Sequence, residues 1–225
     1  MFSRLLQASV RGAAQRLAAA TRLVGLSPNS LTLFGLALAA GAAALAALDY
    51  QLWAGVVLLL AGAFDILDGA VARESGRVHP FGAFLDSTAD RYGEGVLYAG
   101  LVYLFLAHLH QEVPVFLIVA SLFGSLLVSY VRARAQSLGY SCDVGWFARP
   151  ERVVITALGL MLGLMVPALW ILAVATNLTA LQRIHAVYRQ YRGTRDAEAP
   201  AAPGEGAQGP SASPRRHRGA APSPP

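Results

Sequence analysis

The sequence of 225 residues contains no lysine and a single cysteine, and charged residues make up only 14% of it. One thiol cannot form an intrachain disulfide, so we expect Cys142 to be structural, and it carries no information about the cellular compartment. The low charge, with 55% hydrophobic residues and a mean hydropathy of +0.48, excludes an ordinary water-soluble domain. The composition instead predicts one compact integral membrane domain with no room for a soluble second domain.

All 18 basic residues are arginine, against 13 acidic residues, which gives a net charge of +5. Such an excess suits nucleic acid, anionic lipid or phosphorylated substrates. Because the chain is so apolar, we expect membrane lipid and phosphate as partners and no nucleic acid.

Apolar runs dominate residues 26–192 and predict an all-α transmembrane domain of six helices. All but the fifth approach the roughly 20 residues that span about 30 Å of hydrocarbon. The fifth is short, and Pro167 is expected to separate it from the sixth. The runs cover about 31–48, 52–72, 84–107, 114–131, 153–166 and 169–187.

The two flanks differ from this domain. Residues 1–25 scatter arginines between apolar residues, without a compact apolar block or a cleavage site. We therefore expect an amphipathic helix on the membrane surface and no cleaved signal peptide. Residues 193–225 are rich in Ala, Pro, Gly, Ser and Arg without periodicity, which predicts a disordered tail.

Arginines lie in alternate connections between the runs: in the N-terminal flank, after the second run, between the fourth and fifth, and after the sixth. The connections around 49–51, 108–113 and 167 have none. By the positive-inside rule, both termini and the adjoining ends of the second and third runs face the cytoplasm of a multi-pass cell-membrane protein.

Four aspartates occupy those adjoining ends: Asp65, Asp68, Asp86 and Asp90. An ionisable side chain at a membrane helix centre costs about 3 kcal/mol on insertion scales, so four without a role would be a severe burden. Spacings of three and four residues put each pair on one helix face. Packing the two faces together would form an all-oxygen cage for a hard divalent cation.

The complete pattern is Asp-x2-Asp-Gly-x2-Ala-Arg-x8-Gly-x3-Asp-x3-Asp, from Asp65 to Asp90. It resembles the signature of the CDP-alcohol phosphotransferases, membrane enzymes of phospholipid synthesis. The resemblance implies that Asp65, Asp68 and Asp86 hold one divalent metal, and that Asp65, Asp86 and Asp90 hold or approach a second. It also implies that Asp90 is the general base, with Mg²⁺ as the ion and Mn²⁺ as the alternative.

Further residues are expected to bind the donor, CDP-diacylglycerol. A segment at a helix start resembles the one that lines the nucleotide site in this family: Asn29, Ser30, Leu31 and Thr32. Open N–H groups at such a start suit phosphate, although the segment could be only a helix cap. Gly69 would let the nucleotide approach the helix backbone, and Arg73 can donate to a phosphate.

Three arginines, Arg132, Arg152 and Arg183, lie in segments that resemble the bacterial phosphatidylinositol-phosphate synthases of this family. That resemblance implies inositol phosphate as the acceptor and CMP as the product. An acceptor that carries a phosphate dianion needs its own cationic pocket, which these side chains would supply. They could also be headgroup anchors. We expect Arg149 to be an anchor or a secondary partner, and Glu94 to be structural or solvated.

Two alternatives remain open from the sequence. Glycerol 3-phosphate also carries a phosphate, so the arginines do not exclude it as the acceptor. A divalent-metal transporter could place carboxylates on membrane helices, although it would not need Gly69, Arg73 and Gly82 at fixed offsets. Family members are typically homodimers, so a homodimer is expected here too.

Overall fold

A computed structural model of the chain describes residues 28–74 and 79–198, without the side chains of residues 28, 66–74 and 196–198. Within those ranges the chain forms six long helices and no strand. A π-helical turn, Leu104–His108, extends the third helix. The helices are α1 (Pro28–Ala47), α2 (Gln51–Glu74), α3 (Pro80–Tyr103), α4 (Val113–Ser137), α5 (Arg149–Met161) and α6 (Met165–Glu198).

The prediction of an all-α membrane protein is confirmed. Three segments, Asn29–Ala47, Val113–Ser137 and Met165–Arg195, are long and apolar enough to cross a membrane. In α2 the apolar part covers Gln51–Asp65, and α3 carries acidic residues near its start. The surface helix predicted for residues 1–25 lies outside the described residues.

The same hydrogen-bonded motif closes α1, α4 and α5. At the end of α1, Tyr50 N–H donates to the carbonyl of Leu45 at 2.8 Å and Asp49 N–H donates to that of Ala46 at 3.0 Å. The second residue after the helix then takes a left-handed conformation, with φ of 63° at Asp49. Gly139 and Gly163 hold this position in the other two, because glycine adopts it without steric cost.

The helices pack as a closed ring. Helix α1 contacts α2 and α3, α4 contacts α3 and α6, and α5 joins α2 to α6. In the described part of the chain, α2 and α3 make little direct contact with each other. Both rest on α1 instead, which leaves a cleft between them.

Small residues allow the closest helix contacts. Gly100 of α3 lies against the backbone of Ala43 in α1, and Gly124 of α4 lies against Thr176 and Asn177 of α6. Without a side chain in between, the helix backbones approach closely, as in other membrane bundles. The Gly100 contact holds α3 on α1, and the Gly124 contact holds α4 on α6.

Two sequence-based boundaries are corrected. The break between the last two helices lies at Leu162–Leu164, where Gly163 has φ of 67°, and not at Pro167. Pro167 lies in the first turn of α6, where a missing N–H costs nothing. Residues 193–198, predicted as the start of a disordered tail, are helical, because α6 continues to Glu198 and the Thr194 hydroxyl donates to the carbonyl of Tyr191 at 2.8 Å; the rest of the predicted tail lies outside the described residues.

We predict that Gly100→Ala destabilises the protein by about 1–3 kcal/mol, because the added methyl group would overlap the Ala43 backbone. Gly95→Ala is the matched control on the same helix, since nothing lies within 4 Å of its added methyl group. Thermal unfolding in detergent checks both variants. Equal melting temperatures for the two would contradict the packing described here.

Candidate active site

The cleft between α2 and α3 brings together side chains from four helices. Thr32 of α1, Asp65 of α2, and Asp90 and Glu94 of α3 line it. Its far wall is the start of α5, with Arg149 and Arg152. Pro150 in the first turn of α5 is compatible with this helix start, because its missing N–H would have no partner there. Charged groups thus face each other across a gap in an otherwise apolar bundle.

Three of the predicted carboxylates converge at the mouth of this cleft. One oxygen each from Asp65, Asp86 and Asp90 lies within 4.8 Å of the others. The Asp86 Oδ1 atom is buried and has no hydrogen-bond partner among the described residues. Carboxylate oxygens are the preferred ligands of Mg²⁺ and Mn²⁺, and an orphaned buried oxygen favours a cation nearby. The residues present therefore fit a divalent metal.

Arg149 balances part of this negative charge. Its Nη2 atom lies 2.7 Å from Asp90 Oδ1, and its Nη1 atom pairs with Asp65 Oδ2. Burial alone would lower the pKa of Arg149, but the carboxylates of Asp90 and Asp65 outweigh it and raise the pKa above its ordinary value. A permanent cation from α5 thus bridges α2 and α3. Arg91 adds a weaker contact, with Nη1 3.4 Å from Asp90 Oδ2.

The predicted donor-binding residues are distributed around α1 and α2. Thr32 lines the cleft, while Leu31 is buried in the helix packing. Asn29 lies beside the first turns of α3, where its Oδ1 atom would be 3.4 Å from a methyl group at Gly82. Ser30 is exposed on α1. Asp68, Gly69 and Arg73 fall on the last turns of α2, and their side chains are outside the described part.

The three predicted acceptor arginines do not share one surface. Arg152 is buried in the cleft and pairs with Glu94, with Nε 2.9 Å from Oε1. Arg183 is also buried, and donates to the carbonyls of Val128 at 2.5 Å and Val144 at 2.9 Å.

Arg132 differs from these two because it is half exposed and pairs with Asp143 at 2.7 Å. Arg183 nevertheless lies close enough to Arg132 and Arg152 for the three charges to interact. Of the three arginines, only Arg152 lines the cleft that contains Asp65 and Asp90.

The cleft also contains two residues whose roles the sequence indicated only broadly. Arg149 was expected to be an anchor or a secondary partner, and it contacts two of the aspartates directly. Glu94 was expected to be structural or solvated, and it pairs with Arg152 inside the cleft. Its position four residues after Asp90, on the same helix face, was a signal that could have found it.

Comparison with known proteins agrees with this geometry. The family described as CDP-alcohol phosphatidyltransferase matches residues 25–182, more than half of the chain. The chain is 38% identical over 179 residues to the phosphatidylinositol phosphate synthase of Mycobacteroides abscessus, covering 76% of this chain and 81% of that protein. It is 40% identical over 173 residues to the enzyme of the same name from Mycolicibacterium smegmatis, covering 72% and 78%.

Solved structures are similar as well. The crystal structure of Mycobacterium tuberculosis phosphatidylinositol phosphate synthase with CDP-DAG bound has a TM-score of 0.73 and 32% identity, covering 78% of this chain and 93% of that one. The structure of that enzyme in complex with manganese and citrate gives the same TM-score of 0.73, covering 78% of this chain and 88% of that one.

We predict that Arg149→Gln lowers the stability of the metal-free protein by about 1–3 kcal/mol, because Asp65 and Asp90 lose their shared cation. Added Mg²⁺ or Mn²⁺ should stabilise this variant more than the wild type, since the guanidinium no longer competes for the carboxylate oxygens. Thermal unfolding with chelator and then with metal measures both effects.

Arg134→Gln is the matched control for this experiment, because Arg134 is exposed at the end of α4 and contacts Ser137 only weakly, at 3.5 Å. An Arg149→Gln protein that melts like the control in chelator would show that the bridge contributes nothing.

Proposed function

This chain belongs to the CDP-alcohol phosphatidyltransferase family, and from that premise we propose that it transfers the phosphatidyl group of CDP-diacylglycerol to a hydroxyl of inositol phosphate and releases CMP. One observation carries the proposal: Asp65, Asp86 and Asp90 lie close together at the mouth of a cleft, and the opposite wall of that cleft carries arginines. The names of the relatives, phosphatidylinositol phosphate synthases, support this acceptor.

The carboxylate cluster is the proposed metal centre. Asp65, Asp86 and Asp90 would hold a divalent ion, Mg²⁺ or Mn²⁺, and Asp68 on the last turns of α2 would complete sites for two ions. Metal bound there supplies neutralisation of the pyrophosphate charge of the donor. Asn29, Ser30, Leu31, Thr32, Gly69 and Arg73 form the proposed donor site.

Asp90 is the proposed general base. Its side chain is 14% exposed and held between Arg149 and Arg91, which fixes its position in the cleft. It takes the proton of the acceptor hydroxyl as the hydroxyl oxygen bonds to the phosphorus that bears diacylglycerol. The bond from that phosphorus to the bridging oxygen breaks, CMP leaves, and a phosphodiester lipid remains.

A phosphorylated acceptor suits the cations of the cleft and its surroundings. Arg152 is buried and lines the cleft, and Arg183 is close enough to interact electrostatically with Arg152 and with Arg132. A phosphate, unlike an uncharged polyol, would accept charge-assisted hydrogen bonds from donors that Arg152 and Arg132 do not use in their pairs with Glu94 and Asp143. We therefore propose that Arg132, Arg152 and Arg183 bind the acceptor phosphate, in part by rearrangement of Arg132 from its surface pair with Asp143.

The proposal also covers the orientation of the enzyme in the membrane and its oligomeric state. It is a membrane protein, and the alternation of arginine-bearing connections supports a cytoplasmic active site with both termini on that side. Water-soluble CMP and inositol phosphate would then exchange with the cytoplasm, while the lipid substrate and product stay in the membrane. A homodimer is proposed on family grounds.

We expect CMP release when detergent-purified protein receives CDP-diacylglycerol, Mg²⁺ and inositol 1-phosphate. Glycerol 3-phosphate, serine and free inositol, each supplied alone, should give at most background release. CMP release with glycerol 3-phosphate alone would support the proposed transfer reaction but would show that glycerol 3-phosphate, and not inositol phosphate, is the acceptor. No release with any acceptor, together with metal uptake into proteoliposomes, would favour a transporter.

We expect Asp90→Asn to reduce CMP release by at least about 10²-fold, because the amide cannot accept the hydroxyl proton. Asp49→Asn is the matched control. Asp49 lies just before α2, whereas Asp65 lies about 21 Å along that helix from its first residue, and the left-handed backbone conformation of Asp49 is one that asparagine also adopts. Full activity of Asp90→Asn would remove Asp90 from the mechanism.

A further inference from the structure

A second pair of opposite charges lies deeper in the cleft than the aspartates. Arg152 of α5 donates to Glu94 of α3 through one edge of its guanidinium, with Nε 2.9 Å from Oε1 and Nη2 3.5 Å from Oε2. Only 4% of the Arg152 side chain and 13% of the Glu94 side chain are exposed. Both residues line the same cleft as Asp65 and Asp90.

Helix geometry relates this pair to the proposed base. Asp86, Asp90 and Glu94 follow each other at four-residue intervals on one face of α3. Glu94 is therefore about 6 Å further along the helix than Asp90. An acceptor whose hydroxyl reaches Asp90 would place a phosphate on a neighbouring carbon within reach of Arg152.

The orientation of the guanidinium leaves one side available. The contact with Glu94 uses Nε and Nη2, so the Nη1 donors are not part of the pair. Arginine presents its five donors in a fixed plane, and holding one edge therefore fixes the direction of the others. A phosphate can accept from Nη1 while Glu94 keeps the other edge.

The pair also bridges two helices that otherwise make little direct contact in the described residues, α3 and α5. A buried arginine without a partner would be costly, and the open cleft provides other carboxylates to which it could turn. Asp90 is one of them, because it lines the same cleft. Glu94 thus keeps Arg152 charged, buried and away from the proposed base.

We propose that Glu94 is a positioning residue, which holds Arg152 so that its Nη1 edge binds the phosphate of the acceptor. The inference rests on the proposed function, because it requires an acceptor that carries a phosphate. It assigns Glu94 no contact with the substrate. It also places the acceptor phosphate on the α5 side of the cleft.

The test is steady-state CMP release by Glu94→Gln. We expect the KM for inositol 1-phosphate to rise by at least about tenfold, because the amide no longer fixes the guanidinium by charge. The KM for CDP-diacylglycerol should stay within about twofold of wild type, and kcat should fall by less than the acceptor KM rises, because only part of the released Arg152 would pair with Asp90. Glu94→Asp, which keeps the charge on a shorter side chain, should recover part of the affinity.

Glu112→Gln is the matched control, because Glu112 is an exposed glutamate just before α4 and outside the cleft. It should leave both KM values unchanged. If Glu94→Gln does not fold, Glu94→Asp and the double variant Glu94→Gln with Arg152→Gln decide the matter. The double variant leaves no unpaired charge, and we expect its acceptor KM to be no higher than that of Arg152→Gln alone, because Glu94 acts only through Arg152.

Three results would overturn the inference. An unchanged acceptor KM with a lowered melting temperature would make the pair a structural bridge only. A lower acceptor KM would make Glu94 a charge that repels the phosphate. If the wild type also uses free inositol, an equal loss of kcat/KM with free inositol and with inositol phosphate would show that Glu94 does not act through the acceptor phosphate. A wild type that is inactive with every phosphorylated acceptor would instead overturn the proposed function, and the inference with it.

Discussion

Negative charge inside an apolar helix bundle is the constraint on which the rest of the structure depends. Asp65, Asp86 and Asp90 place carboxylate oxygens within 4.8 Å of each other, and such an arrangement is unfavourable without nearby cations. Arg149 supplies one cation by pairing with two of the three. The remaining negative charge includes the Asp86 Oδ1 atom, which has no partner within the described part of the chain, and it favours a divalent metal.

The helix ring makes this concentration of charge possible. Helices α2 and α3 both lean on α1, and the space between them stays open because they hardly touch each other in the described chain. Close backbone contacts such as that of Gly100 with Ala43 keep α3 in place without bulky side chains. The cleft therefore exists because α3 packs closely on α1 at one end of the bundle, while α2 and α3 stay apart at the other end.

Charges along the cleft fall into two layers. The outer layer joins the aspartates to Arg149 and suits a metal-bound pyrophosphate. The inner layer joins Glu94 to Arg152 and suits the phosphate of an acceptor. In the proposed function this division would separate the phosphates of donor and acceptor, which would otherwise repel each other, and Asp90 is the outer-layer residue one helical turn from Glu94.

The sequence by itself determined the helices and the family, because apolar runs and fixed three- and four-residue spacings are local properties of a helix. It also indicated Asp65, Asp86 and Asp90 as one cluster. Only the tertiary structure decided that Gly163, and not Pro167, ends α5, since a proline is harmless in a first turn. The pairing of Glu94 with Arg152, 58 residues away, was likewise beyond sequence, because it depends on how α3 and α5 face each other across the cleft.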